Sequence, residues 1–294
     1  MPSNLAEAAT SHHFPPVFFR FPRLLALVHL LMRLTTLRVW YVRRAFRRVL
    51  GRQPRPFTLV DAGCGHGDYL LPAARRYPDS RFVGVDKIED NVRISSAYAR
   101  ARGIANAVFV CDHVERFDYA GADVVACIGV MELVEDDGAL LRRFREGMQP
   151  DGVLMLYQPV LGRRLLPFYE SALARLSVPY HVVQQRQHVY TPAEVERKLS
   201  ESGFSVASVT YSFGPVGRLY YETYNLLMYA LLSAHWILYP VLVPLFVACM
   251  PLFWLLMGID YAGRRSSGNG MMIVARPSTG ESGTSGRDSR TDFD

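Results

Sequence analysis

Cysteine is scarce in this chain. Its 294 residues hold four, Cys64, Cys111, Cys127 and Cys249, with no C-x-x-C spacing and no histidine cluster beside them. A disulfide framework and a zinc site are therefore not expected, no metal ligand is assigned, and a reducing compartment suits the chain. Asp, Glu and Lys are missing altogether from Ala8 to Val60, a stretch that carries ten arginines. The whole chain has a formal net charge of +6, so the rest is close to neutral. Such an arm is built to meet something anionic, either phosphodiesters or acidic lipid headgroups. A secretory signal is also missing: the apolar run Leu24–Met32 is interrupted by His29, has arginine on both sides and lacks a small-residue cleavage site. Charge is absent again from Trp236 to Ile259, and no internal repeat is visible. An apolar fraction of 50% excludes a disordered chain but not one that associates with a membrane.

What is present falls into three parts. Residues 1–55 form a basic leader in which Leu24, Leu27, Leu31, Leu34, Val42, Phe46 and Val49 recur at helical spacing, with arginines interleaved. This predicts an amphipathic helix over Arg20–Leu50. From residue 56 to 276 β and α signals alternate. Strands are expected at Phe57–Ala62, Arg81–Asp86, Ala107–Cys111, Asp123–Ile128, Val153–Gln158, Phe204–Tyr211 and Met271–Arg276, with helices at Asp68–Tyr77, Asp90–Arg102 and Gly138–Met148 between them. That alternation implies a mostly parallel sheet covered on both faces. Thr191-Pro192-Ala193-Glu194 marks a helix start by capping box and first-turn proline, and Gly203 marks its end. Residues 277–294, rich in Ser, Gly and charge, read as a disordered tail.

The densest chemical signal is Leu59-Val-Asp-Ala-Gly-Cys-Gly-His-Gly-Asp-Tyr-Leu70, an apolar strand running through a glycine loop into a helix. Glycine is needed where backbone turns tightly and approaches a ligand. A dinucleotide loop reads G-x-G-x-x-G. Here the third glycine comes one residue early, and Asp61 precedes the first by two. In this the sequence resembles the class I S-adenosylmethionine-dependent methyltransferases, whose cofactor carries an ammonium and a sulfonium in place of a pyrophosphate. The resemblance covers about residues 57–212 and 270–276. It implies a Rossmann-like α/β sheet, mostly parallel with an antiparallel last strand, and S-adenosylmethionine as cofactor. It also implies cofactor contacts from Asp61, Gly63, Cys64, Gly65 and Gly67 in the loop, and from Asp86 and Lys87 at the second strand, where the carboxylate accepts both ribose hydroxyls. Cys111, Asp112 and His113 after the third strand would hold the adenine, and Cys127 and Ile128 on the fourth the methionine moiety. Glu132 is followed by Leu133 where many soluble relatives have histidine, so no catalytic histidine is carried over from that position.

Methyl transfer needs an aligned nucleophile, and a general base only for a hydroxyl or an acidic C–H. His181, His188, Glu132 and Tyr157 are the candidates at or after the fourth and fifth strands, and a histidine pKa lies near working pH. No Asn/Asp-Pro-Pro-aromatic sequence follows the fourth strand, which argues against exocyclic amines of bases as acceptors. From Thr223 to Ile259 His235 is the sole Asp, Glu, Lys, Arg or His in 37 residues. This insert, about 215–268, lies between two strands expected to pair antiparallel, so its ends share one side of any bilayer. Pro240 and Pro244 are read as dividing it into legs of about 14 apolar residues, short of the roughly 20 needed to cross. The expectation is an interfacial or re-entrant hydrophobic hairpin before the last strand, also usable for self-association over 223–259, with the basic N-terminal helix in the plane of an anionic leaflet. The function expected is methylation of a membrane-resident hydrophobic acceptor (a lipid, a quinone or isoprenoid, or a polyene or acyl chain) at the cytoplasmic membrane face. The alternative is a nucleic-acid methyltransferase gripping phosphates with the arginine-rich arm.

Overall fold

A computed structural model describes residues 16–162, 164–175 and 187–278. Strands β1 (Thr58–Ala62), β2 (Arg81–Asp86), β3 (Ala107–Cys111), β4 (Ala122–Ile128), β5 (Met148–Pro159), β6 (Phe204–Ser212) and β7 (Gly270–Pro277) form one sheet in the order β3-β2-β1-β4-β5-β7-β6. The first five pair in parallel, and β7 runs antiparallel to both β5 and β6. The helices are α1 (Pro16–Arg20), α2 (Leu25–Thr35), α3 (Leu37–Leu50), α4 (Leu70–Arg76), α5 (Glu89–Ala101), α6 (Asp137–Gly147), α7 (Tyr169–Arg175), α8 (Pro192–Glu201), α9 (Pro215–Ser233) and α10 (Tyr239–Ala262).

Side chains alternate across a strand, so each apolar strand feeds two cores. Leu59, Phe82, Val124 and Met155 face one core with α3, α4 and α5. Val60, Val83, Val125 and Leu154 face the other with α6 and α8. The capping box at Thr191 forms as the spacing predicts, with Thr191 and Glu194 bonding each other's backbone N–H. β5 begins earlier than expected, at Met148. Its register jumps from Ala122↔Met148 to Val124↔Val153, so Pro150-Asp151-Gly152 bulges from the ladder instead of ending it.

Two expectations are corrected. Residues 20–50 are not one helix: α2 and α3 meet at 102°, with Thr36 in extended backbone (φ −128°, ψ 105°). The bend exposes the last carbonyls of α2, and distant side chains satisfy them. Trp254 Nε1 donates to the Leu34 carbonyl (2.9 Å), and Tyr220 Oη donates to that of Thr35. Helix α3 is consequently core, burying Leu37, Tyr41, Val42, Phe46, Val49 and Leu50, and its apolar face is not free for a lipid surface. The exposed leucines of this region, Leu24, Leu27, Leu30 and Leu31, lie in and just before α2.

The prolines do not split the apolar insert either. Pro240 sits in the first turn of α10, where its missing N–H is not needed, while Pro244 and Pro251 lie inside a continuous 24-residue helix. At 1.5 Å per residue this helix is about 36 Å long, above the ~30 Å of a hydrocarbon core. The break falls at Ala234–His235, ahead of a short 3₁₀ turn (Trp236–Leu238). The segment Trp236–Ala262 is long and apolar enough to cross a membrane by length and composition, and 11% of its most apolar window is buried. Most of that window faces outward, while Phe253 and Met257 nearer the end of the helix are buried against α3 and α9. Its base is fixed by Asp260, fully buried, which accepts from Phe213 N (3.1 Å), Gly217 N (3.0 Å) and Tyr41 Oη (3.0 Å) and pairs with Arg265 (3.2 Å).

Candidate active site

The C-terminal ends of β1, β2, β4 and β5 converge on one edge of the sheet, the place where open α/β sheets bind ligands. There the backbone after β1 makes its turn with Gly63 at φ 74°, Gly65 at 53° and Gly67 at 76°. Gly63 N and Cys64 N donate to the Val85 carbonyl (2.8 and 2.9 Å), tying the loop to β2. A Cβ on Gly63 would lie 2.3 Å from Val130, so only glycine fits. A Cβ on Gly65 would meet nothing within 4 Å, which leaves open space above the loop for a ligand.

Asp61 is 1% exposed, and its Oδ2 has no hydrogen-bond partner among the described residues. Burial, with Asp86 and Asp68 nearby, pushes its carboxyl up to about 7. A buried acid in that state is completed by a cationic donor, and an ammonium fits it. Asp86, at the tip of β2, accepts from Gly65 N (2.8 Å), Ile88 N (2.9 Å) and Asn91 Nδ2 (3.3 Å). Three of a carboxylate's roughly four acceptor positions are thus engaged, leaving about one for a ligand hydroxyl rather than two. Asp112 N donates to the Asp86 carbonyl (3.1 Å) and Asp112 Oδ1 accepts from His113 N (2.7 Å), so the third strand's loop is pinned beside the second. Lys87, Cys111 and His113 are exposed at the rim. The side chains of Cys64 and Cys127 are buried, and these residues offer the site backbone only.

A cavity of about 690 Å³ is walled by the α2–α3 bend, the turn after β4 at Glu132, the end of β5 and α9. Glu132, Tyr157 and His188 all line it, although 56 residues separate the first from the last. His181 lies outside the described residues. The Glu132 carbonyl accepts from Gln187 N (2.8 Å) and His188 N (3.3 Å), which sets the His188 loop against the turn after β4. His188 Nε2 is 3.0 Å from the Glu135 carbonyl; with the proton there, Nδ1 is the acceptor. Tyr157 Oη meets Ser212 Oγ at 2.9 Å, and burial pushes its phenol far above working pH, so it acts as a hydrogen-bonding group and not as a base.

Arg38 was not among the sequence candidates. It lines the same cavity, its Nη1 lies 3.0 Å from where a Cβ on Gly129 would stand, and its guanidinium is 6.0 Å from the Tyr157 ring centroid. Burial acts to lower its pKa, but Tyr69, Tyr157 and Glu132 outweigh it and hold the group above its ordinary value. Its Nε is buried with no partner among the described residues. A fixed cation therefore stands where the loop after β4 opens into the cavity. Helical phase was the signal available: Arg38 falls on the apolar stripe of Val42, Phe46 and Val49.

Comparison with known proteins agrees with this geometry. A family model described as a methyltransferase domain matches residues 38–209. A ubiquinone biosynthesis O-methyltransferase of Azorhizobium caulinodans is 30% identical over 190 residues, covering 58% of this chain and 70% of that protein. Nocamycin O-methyltransferase of Saccharothrix syringae is 37% identical over 127 residues, covering 42% of this chain and 45% of that protein. Among solved structures, mycolic acid cyclopropane synthase CmaA1 superposes with a TM-score of 0.52 at 18% identity, covering 79% of this chain and 83% of that one, a likeness of fold. A glycine loop with open space above it, an unsatisfied buried acid before it and a matching sheet order have one common reading, and the chain belongs to the methyltransferase domain family as a class I enzyme that uses S-adenosylmethionine.

Proposed function

We propose that the chain methylates a hydrophobic, lipid-like acceptor taken from a membrane at its cytoplasmic face. The observation that carries this is the shared wall: α9 lines the 690 Å³ cavity and continues through the 3₁₀ turn, where Trp236 is exposed, into α10, whose Val241, Val247 and Leu255 are exposed. An apolar surface that begins at the acceptor cavity suits an acceptor arriving from lipid. The leucines of α2 add a second apolar surface on the cavity's other side, where Thr35 and Leu37 stand. The Azorhizobium relative works in ubiquinone biosynthesis by name, which is consistent with an acceptor of this class.

In this reading the cofactor supplies an activated methyl group, and the protein's part is alignment and exclusion of water. Asp61 takes the ammonium, Asp86 a ribose hydroxyl, Asp112 and its neighbours Cys111 and His113 the adenine edge, and the Cys127–Gly129 backbone the methionine portion. Glu132 and His188 are the groups able to take a proton from an acceptor hydroxyl, and Arg38 and Tyr157 orient it. The test is transfer of labelled methyl into a total lipid extract in detergent micelles, with RNA and protein run in parallel and Asp86→Ala as control. Label in an organic-soluble product, lost in the variant, is the expected result. Label confined to RNA or protein sinks the lipid reading, and RNA would favour a phosphate-gripping role for the arginine-rich arm.

A further inference from the structure

His29 interrupts an otherwise apolar run, and His66 occupies the centre of the glycine loop; neither is needed for the chemistry above. The fold brings them together with Asp68. His29 Nε2 lies 3.3 Å from Asp68 Oδ1, and His66 Nδ1 lies 3.6 Å from the same oxygen. The three ligand atoms all fall within 4.8 Å of one another. The side chains are 10%, 21% and 12% exposed, and the two imidazoles stack at 5.5 Å between centroids.

These separations have a chemical meaning. Ligands bound at 2.0–2.1 Å around a tetrahedral ion stand roughly 3.3 Å apart, which is the spacing that Asp68 Oδ1 keeps from His29 Nε2 and nearly that from His66 Nδ1. Two imidazole nitrogens and one carboxylate oxygen suit a divalent ion of the zinc class, with one position left for water. We propose that His29, His66 and Asp68 form a divalent transition-metal site of this class, stapling helix α2 to the glycine loop. Zinc replaces the proton by which His29 Nε2 now donates to the His66 carbonyl (3.0 Å). Arg43 is the cation nearest in effect to His29, and the Asp68 carboxylate opposes it. His66 lies between Gly65 and Gly67, so the ion would join the leucine-bearing helix to the loop that faces the cofactor.

This inference stands independently of the acceptor. The full-length chain, stripped with chelator, is titrated with Zn²⁺ against a chromophoric competitor, and with Co²⁺ while its visible spectrum is followed. One equivalent of zinc per chain is expected, together with the intense visible bands of tetrahedral Co²⁺. His29→Gln and Asp68→Asn should each weaken binding by at least about tenfold and abolish the bands. Hydrogen exchange in α2 of the unmodified chain should slow when zinc is added. Where a variant fails to fold, the cobalt spectrum and the exchange rates of the unmodified chain decide the matter. Well under one equivalent bound at roughly micromolar zinc, an octahedral cobalt spectrum, or zinc retained in both variants overturns the site.

Discussion

Asp61 is a buried acid whose Oδ2 has no partner among the described residues, and in the proposed reading the cofactor's ammonium supplies one. Its folded value of about 7 lies above the ordinary 3.8, so between those limits the native chain holds a proton that the unfolded chain has released. Stability of the ligand-free protein must then fall as pH rises through that window, the reverse of a salt-bridged aspartate. Cation binding requires the ionised form. S-adenosylmethionine affinity should therefore tighten about tenfold per pH unit below 7 and level off above it, and Asp61→Asn should flatten the curve. A calorimetric titration between pH 5.5 and 8.5 checks this, and a wild-type affinity independent of pH would contradict it. The loop was legible in sequence because its chemistry is contiguous, Asp61 to Gly67. Arg38 was not: it is one of ten arginines in the arm, and its burial depends on elements from far along the chain. His29, His66 and Asp68 were missed for the same reason, since no local spacing signals a contact across 37 residues.

For the elements, short strands were readable almost to the residue, β2 and β3 fully so, because an apolar run between turn residues fixes both length and type. Reading failed where a long-range partner overrides local grammar. The N-terminal periodicity continues through Thr36, yet the helix turns there because Tyr220 and Trp254 cap α2 from the insert. Pro244 and Pro251 each remove a helical hydrogen bond, and α10 continues regardless. That helix is anchored at its base, where the fully buried Asp260 gathers two backbone donors, a phenol and a guanidinium. Asp260→Ala strips two backbone N–H groups, the Tyr41 phenol and the partly buried Arg265 guanidinium of the carboxylate they share, and should cost about 3–5 kcal/mol. Thermal unfolding in micelles would show it, and a melting point unchanged from wild type would mean the hairpin is held by other contacts.

On the scale of the molecule, catalytic sheet and apolar insert are one construction. Helix α9 and the α2–α3 bend both line the cavity, and α10 packs on α9 and α3 through Phe253 and Met257, so in the proposed reading acceptor entry and surface docking would use the same structure. Leu27 and Leu31 are 53% and 50% exposed. Burying a leucine is worth about 1.5–3 kcal/mol, so Leu27→Glu with Leu31→Glu should weaken binding to anionic vesicles by about 100-fold or more. Flotation of wild type and variant in a density gradient measures this, and equal recovery in the lipid fraction would remove α2 from the docking surface.

The pairing of β6 with β7 has a consequence for biogenesis. The insert leaves the sheet at Ser212 and returns at Gly270 on the neighbouring strand, and from Thr223 to Ile259 it carries no Asp, Glu, Lys or Arg. Docking in the proposed manner would thus demand no translocation of a hydrophilic domain. The chain could fold on the ribosome's side first and partition into lipid afterwards without a translocon, leaving again when the bilayer is withdrawn.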